Sequence, residues 1–389
     1  MNILIIGNGF DLAHNLPTKY EHFLRYVDVF KRSKDICKQE SIQDEREITD
    51  IEDKKFIIHF ANLYKEKPQI YKEIGDLILN NVWIDYFWQI YKSRGEAGKD
   101  GWIDFESEIS RIIRTLDSAR FTIFEDINKG HERGKMTQRQ LDILNPVFRQ
   151  PKISRDDIEF DETAVGYRKT RLLTDLNRLT RCLEIYLTNY VEEIVPEVRL
   201  SDVDKLNIQC VLSFNYTHTY ERFYNIDKSK KIHYDYIHGE TRVDSNIDNC
   251  NLILGIDEYL EGNAKDRDNE FIQFKKFYQR IYKRTGCKYI DWINIIAQLP
   301  PEYGRNRNVM HNVYIIGHSL DITDKDILSS LINMKRTKTT IFYHSQAALG
   351  NQINNLVKVL GEDNLIAKVH GENASIVFQK QQEPIPIEY

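Results

Sequence analysis

Four apolar runs in this chain each end at once in residues that could bind a polar ligand or move a proton. Ile3-Leu4-Ile5-Ile6 runs into Gly7-Asn8-Gly9-Phe10-Asp11, and the run from Ile208 to Phe214 ends in Asn215-Tyr216-Thr217. Tyr234 to Ile237 ends in His238-Gly239-Glu240, and Val313 to Ile316 ends in Gly317-His318-Ser319-Leu320-Asp321. A carboxamide offers both a donor and an acceptor, and an imidazole with a reference pKa of about 6.5 exchanges a proton near neutrality. Glycine lets a ligand's sugar or phosphates approach the backbone closely. Taken singly, each turn is also an ordinary structural feature, the first a tight turn with Asp11 capping the next helix.

For the four to act together, their strands must be parallel and adjacent, so that the ends gather at one edge of one sheet. The first run favours this. It has no polar alternation, as expected of a strand covered on both faces in an α/β protein. The turn after it departs from both common nucleotide fingerprints: Leu12 stands where a dehydrogenase-type motif needs a third glycine, and no Gly-Lys-Ser/Thr ending follows. Phe23, Leu24, Val27 and Phe30 are spaced as a crossover helix packing back on the sheet. The expected fold is a Rossmann-like parallel sheet of residues 1–30 and 201–389, interrupted by a large helical insertion over 31–200.

Within that insertion, helical periodicity runs near Ile57 to Tyr64 and from Ile70 to Tyr91. Trp102, Phe105, Ile109, Ile112 and Leu116 mark one helix face, with Glu106 a dipole-matched surface acid of its first turn. Leu172, Leu176, Leu179, Leu183, Tyr186 and Tyr190 form a heptad-like seam suited to internal packing. The stretch from about 117 to 165, with Asn128-Lys129-Gly130-His131, reads as a loop. Leu252-Ile253-Leu254 and Thr339 to Tyr343 are further strand candidates, and Phe271 to Tyr282 is a basic amphipathic helix of a second insertion. Asp321, Asp324 and Asp326 read as helix-start acids rather than a metal cluster.

Composition narrows the function. A formal net charge of -5 and 22 Tyr with 18 Phe describe a folded chain whose main task is not coating nucleic acid. Cys37, Cys182, Cys210, Cys250 and Cys287 are odd in number and never paired as C-x-x-C, which fits reduced thiols and no zinc ribbon. No signal peptide and no run of about 18 apolar residues is read, so a soluble, cytoplasmic protein is expected.

Gly7-Asn8-Gly9-Phe10-Asp11-Leu12-Ala13-His14-Asn15-Leu16-Pro17-Thr18-Lys19-Tyr20, Trp102-x-Asp104-Phe105-Glu106 and Phe214-Asn215-Tyr216-Thr217-x-Thr219-Tyr220-Glu221 resemble the AbiH family of bacterial abortive-infection proteins. That family is in turn similar to the sirtuin-like superfamily of NAD-binding folds. The resemblance implies that Gly7, Asn8 and Gly9, with Phe10 and Asp11, meet the cofactor. It also implies that Asn215 matches the asparagine of the sirtuin Thr-Gln-Asn-Ile-Asp motif, and that His238 before Gly239 matches the catalytic His-Gly. Gly317 and Ser319 resemble the late Gly-x-Ser that contacts the cofactor. Thr217 stands where sirtuins carry an aspartate for the nicotinamide carboxamide, and the four-cysteine zinc module is missing, which argues against a protein deacylase.

What the resemblance implies is hydrolysis of the N-glycosidic bond of NAD, with NAD as substrate, no metal, Asn215 orienting the ribose or water, and His238 as general base. Depletion of NAD on infection would then explain abortive infection, held off at rest through the helical insertion. The expected partner is NAD or a related nucleotide, with a phage-derived trigger and a homo-oligomer both open, and neither membrane nor nucleic acid. Two rivals stand beside this: a nucleotide-sensing module that turns over nothing, and a nuclease.

Overall fold

The computed structural model describes residues 1–33, 50–96, 103–128, 136–148, 162–226, 231–298, 310–372 and 374–387. Its strands are β1 (Asn2–Ile6), β2 (Val198–Arg199), β3 (Cys210–Ser213), β4 (His233–Tyr236), β5 (His311–Ile316), β6 (Thr337–Tyr343), β7 (Ile376–Lys380) and β8 (Ile385–Pro386). Six of them form one sheet in the order β4-β3-β1-β5-β6-β7, every neighbouring pair parallel. Counted along this sheet alone, the order is third, second, first, fourth, fifth, sixth. This is the doubly wound order, with its reversal between β1 and β5. The glycine fingerprint of dinucleotide folds is absent, yet their strand order is present. β2 and β8 form a separate antiparallel ribbon.

The first run behaves as its composition demands. Ile3, Leu4, Ile5 and Ile6 are 0–1 % exposed because alternate side chains enter two different cores. Ile3 and Ile5 join Leu212, Phe214, Val313 and Ile315, under Leu320, Leu328 and Leu331. Leu4 and Ile6 join Phe10, Val211, Tyr220 and Ile316. Fully burying side chains of this size stabilises by roughly 1.5–3 kcal/mol each.

Register then aligns the strand ends. Ile6 pairs with both Ser213 and Ile316, and Ser213 pairs with Tyr236. The ladder continues one step, with Phe214 N–H donating to Ile6 O (2.9 Å), Ile237 N–H to Ser213 O (2.9 Å) and Gly7 N–H to Ile316 O (3.3 Å). Gly7, Phe214, Ile237 and Gly317 therefore leave the sheet at one level.

The chain divides into two compact units. The first comprises residues 1–18, 191–241 and 284–389 and contains the parallel sheet; the second comprises 19–190 and 242–283. The helix Tyr20–Ser33, expected to cross over onto the sheet, takes its ring contacts from the second unit: Tyr26 packs on Phe60 and Tyr186, and Phe30 on Phe60 and Tyr71. Periodicity identifies a helix's apolar face but not its partner.

The second unit is built of helices, including Ile51–Glu66, Pro68–Ile78, Val82–Glu96, Phe105–Asn128, Gln138–Phe148 and Glu162–Tyr186. The heptad seam is internal packing, with Leu172, Leu176, Leu179, Leu183 and Tyr186 at 0–3 % exposure. Two expectations fail here. The stretch 117–165 carries the end of one helix, all of a second and the start of a third; Gly130, His131 and Trp102 lie outside the described residues. Leu252-Ile253-Leu254 is buried but forms no strand, because both backbone groups of Leu254 are bonded by the Gln279 side chain (3.2 Å each) instead of a neighbouring strand. Glu106 does lie in the first turn of Phe105–Asn128, where it also pairs with the buried ammonium of Lys276 at 2.7 Å. Among the described residues no helix is long and apolar enough to cross a membrane.

Candidate active site at the carboxyl edge of the sheet

Beyond β1 the chain turns directly into the helix Asn8–Ala13, with Gly7 as its N-cap and Asp11 inside the helix rather than at the cap. The three glycines at this level are required by backbone proximity. Gly9 N–H donates to Gly317 O at 2.8 Å, and a Cβ on Gly317, whose φ is +68°, would lie 2.0 Å from Phe10 N. A Cβ on Gly7 or Gly9 would likewise meet the backbone of Gly317 or His318 at 2.8–2.9 Å. The two turns at the switch point are thus locked to each other, and this close approach explains the glycines without a ligand.

Asn215 secures the same turn. Its amide Nδ2 donates to Gly7 O at 3.0 Å, and its backbone N–H bonds Ser213 Oγ at 3.1 Å. Beside it lies Asp11, only 1 % exposed, whose Oδ2 accepts from Thr217 Oγ1 at 2.5 Å. Burial raises its pKa to about 6, with the bond from Thr217 drawing it back. Oδ1 is fully shielded and has no hydrogen-bond partner of its own, while Thr219 and Asn215 also draw the pKa of this carboxylate down.

His238 sits in the turn after β4, followed by Gly239 at φ +82°. Its Nε2 stands 3.8 Å from Asp324 Oδ1, and the other oxygen of that carboxylate stands 3.5 Å from His318 Nε2. The ring of Phe214 meets both imidazoles edge-on, with centroids 5.6 Å and 4.3 Å away. His318 Nδ1 accepts from Leu320 N–H at 2.9 Å, so its own proton is carried on Nε2, toward Asp324. Asp324, read from sequence as a helix-start acid, does lead into the helix Lys325–Ile332, but it makes no side-chain cap bond there.

The remaining expected contacts scatter. Asn8 is exposed and its Oδ1 accepts from Thr18 Oγ1 at 2.6 Å. Phe10 is fully buried in the core against His14 and Tyr224. Ser319 is exposed, and its carbonyl is held by Asn355 Nδ2 at 3.0 Å. His14, whose pKa burial lowers, is a structural member of the motif: its Nδ1 donates to Phe10 O at 2.7 Å and its Nε2 accepts from Tyr224 OH at 2.8 Å.

One cluster escaped the sequence reading. His218, the unread position between Thr217 and Thr219, is clasped by Glu192 Oε1 at 2.9 Å on Nδ1 and Glu240 Oε2 at 3.3 Å on Nε2, while Thr241 Oγ1 donates to Glu192 at 2.8 Å. Burial alone would lower the His218 pKa, but the two carboxylates outweigh it and raise it to about 9. A cavity of about 350 Å³ opens beside it, lined by His218, Glu221, Arg222, Asn225 and Ile226; neither Asn215 nor His238 borders it. Only the fold could reveal this cluster, since Glu192 lies 26 residues before His218 and Glu240 lies 22 after it. Among the described residues, no group of three or more His, Cys, Asp and Glu side chains is gathered to hold a metal ion.

No curated protein and no solved structure matches this chain. Residues 3–344 match the family described as bacteriophage abortive infection AbiH, a span that takes in all four strand ends of the site. With most of its length matched, the chain belongs to the bacteriophage abortive infection AbiH family.

Proposed function

We propose that this protein is an anti-phage effector that hydrolyses the N-glycosidic bond of NAD, on a core of sirtuin-like type. What supports the reading is that the ends of β1, β3, β4 and β5 lie along one edge of a doubly wound sheet and carry an imidazole 3.8 Å from a carboxylate, a carboxamide bonded to the Gly7 turn and a buried acid. In that reaction the bond from ribose C1′ to the pyridinium nitrogen breaks with its electron pair leaving on nicotinamide. Water oxygen bonds C1′, and the water's proton passes through the enzyme to solvent.

Such a centre needs positioning and a base. His238 is the base. Asp11 Oδ1 suits a ribose hydroxyl, which would give the buried oxygen its missing donor. Asn215 supports the Gly7 turn through its Nδ2, which makes its first role that of holding the edge in shape. Gly7, Gly9 and Gly317 keep the two turns in register, with Asn8, Gly239 and Ser319 placed around the same edge.

The test is incubation of purified protein with NAD, with and without phage lysate, following nicotinamide by chromatography beside His238→Ala. Release by the wild type and its loss in the variant is the expected result. Absence of release together with an NAD-dependent rise in melting temperature would replace this reading by that of a nucleotide sensor.

A further inference from the structure

We propose that Glu192, His218 and Thr241 form a staple that ties together the two connectors joining residues 191–241 to the helical second unit, so that loosening one connector loosens the other. The inference stands on hydrogen bonds and takes nothing from the hydrolytic reading. Glu192 is the second residue of that segment and Thr241 its last. One oxygen, Glu192 Oε1, accepts from the backbone N–H of His218 at 2.9 Å, from His218 Nδ1 at 2.9 Å and from Thr241 Oγ1 at 2.8 Å. Thr241 N–H donates in turn to Tyr216 O at 2.9 Å. Residues 49 positions apart in the chain, one on each connector, are thus bonded directly.

What the staple holds is irregular backbone at both ends. The long helix Glu162–Tyr186 gives way to a π-helical stretch, Leu187–Val191, which ends at the residue before Glu192. Wide turns of this kind are rare and recur at functional positions. Just past it, Arg222 Nη2 donates to Ile194 O at 3.0 Å, so the first connector is fixed twice to the helix Thr219–Tyr224 and its N-cap, His218. The second connector follows Gly239, at φ +82°, and Glu240, whose Oε2 lies 3.3 Å from His218 Nε2. His238 and Gly239 therefore stand between β4 and the staple along the chain. The His218 and Glu192 side chains are 24 % and 16 % exposed, and bonds between charged partners shielded to this degree hold more firmly than pairs open to water. Because the three bonds share one oxygen, withdrawing Glu192 releases His218 and Thr241 at once.

The experiment is hydrogen exchange of the full chain, read by mass spectrometry in peptides covering 187–194 and 239–246, for wild type, Glu192→Ala and Thr241→Val. Glu192→Ala is expected to raise exchange about tenfold in both peptides, with those of β1 and β5 unchanged. Thr241→Val keeps the shape of the side chain and leaves the His218–Glu192 pair in place. It is expected to raise exchange about threefold in 239–246 and in 187–194 as well. A hydroxyl that served only its own turn would not move the distant peptide. A rise confined, in either variant, to the peptide carrying the substitution overturns the proposal, as does exchange unchanged in both peptides. Should Glu192→Ala accelerate exchange throughout the sheet, Thr241→Val decides alone, by whether 187–194 responds.

Discussion

Two histidines at the same sheet edge are held by carboxylates in opposite ways. His218 is saturated: both ring nitrogens face glutamates within 3.3 Å, a threonine hydroxyl braces one of those glutamates, and its pKa rises to about 9. His238 Nε2 stands 3.8 Å from Asp324, a carboxylate that also reaches His318. A histidine clasped on both sides keeps its proton through neutrality and serves as a cationic clasp. One with a carboxylate at 3.8 Å is the better candidate for the base of the proposed reaction. In the proposed reaction, the difference separates a side chain that holds the structure from one that serves as the base.

Exchanging each histidine in turn is the strongest way to break this contrast. His238→Ala is expected to lower nicotinamide release by about 10²–10⁴-fold with little change in thermal unfolding. His218→Ala should do the reverse, costing about 2 kcal/mol because Glu192 is left half-buried without its cation. Release that survives His238→Ala and disappears in a fully folded His218→Ala would invert the assignment.

The pH dependence of stability sharpens it further. The folded pKa of His218, about 9, lies above the unfolded value near 6.5. Its contribution is therefore fully present below about pH 6.5 and lost as pH rises through about 9. Melting temperature should fall between pH 7 and 9.5 in the wild type, and His218→Gln should flatten that fall; an equal slope in both would show that the clasp adds nothing.

A smaller effect belongs to Asp11, where the bonds from Thr217, Thr219 and Asn215 do not offset burial. Its folded value of about 6 exceeds the unfolded 3.8, so the folded state binds the extra proton and stability drops as pH rises from about 4 to 6. Asp11→Asn keeps an acceptor for Thr217 and should gain roughly 1–2 kcal/mol at pH 7 in chemical denaturation. If the orphaned oxygen receives a ribose hydroxyl, the same variant binds NAD more weakly. Greater stability with unchanged NAD affinity would make Asp11 purely structural.

Much of the sheet was legible beforehand. Four short runs ending in glycine, amide or imidazole became β1, β3, β4 and β5; near-continuous burial leaves a one-dimensional trace in β1 and β3, whereas β4, with Asp235 its one buried residue, is marked by the turn that ends it. β7 was not read: Ile376 to Lys380 lies at the sheet's edge with Val377 exposed, so its burial pattern is too weak to announce it. Leu252 to Leu254 was read as a strand for the converse reason, since apolar composition reports burial but not what satisfies the backbone, here the Gln279 side chain.

By itself, then, the sequence determined which segments are buried, that an α/β sheet is built from them, and that Asn215 and His238 leave it at strand ends. Tertiary structure alone decided the partners. Asp324 meets His238 and His318 across 86 and 6 positions of chain, and Glu192 meets His218 across 26. Register between parallel strands set those distances, and the buried or exposed state of each group set its charge. Neither is written in local spacing, because both depend on which strands become neighbours.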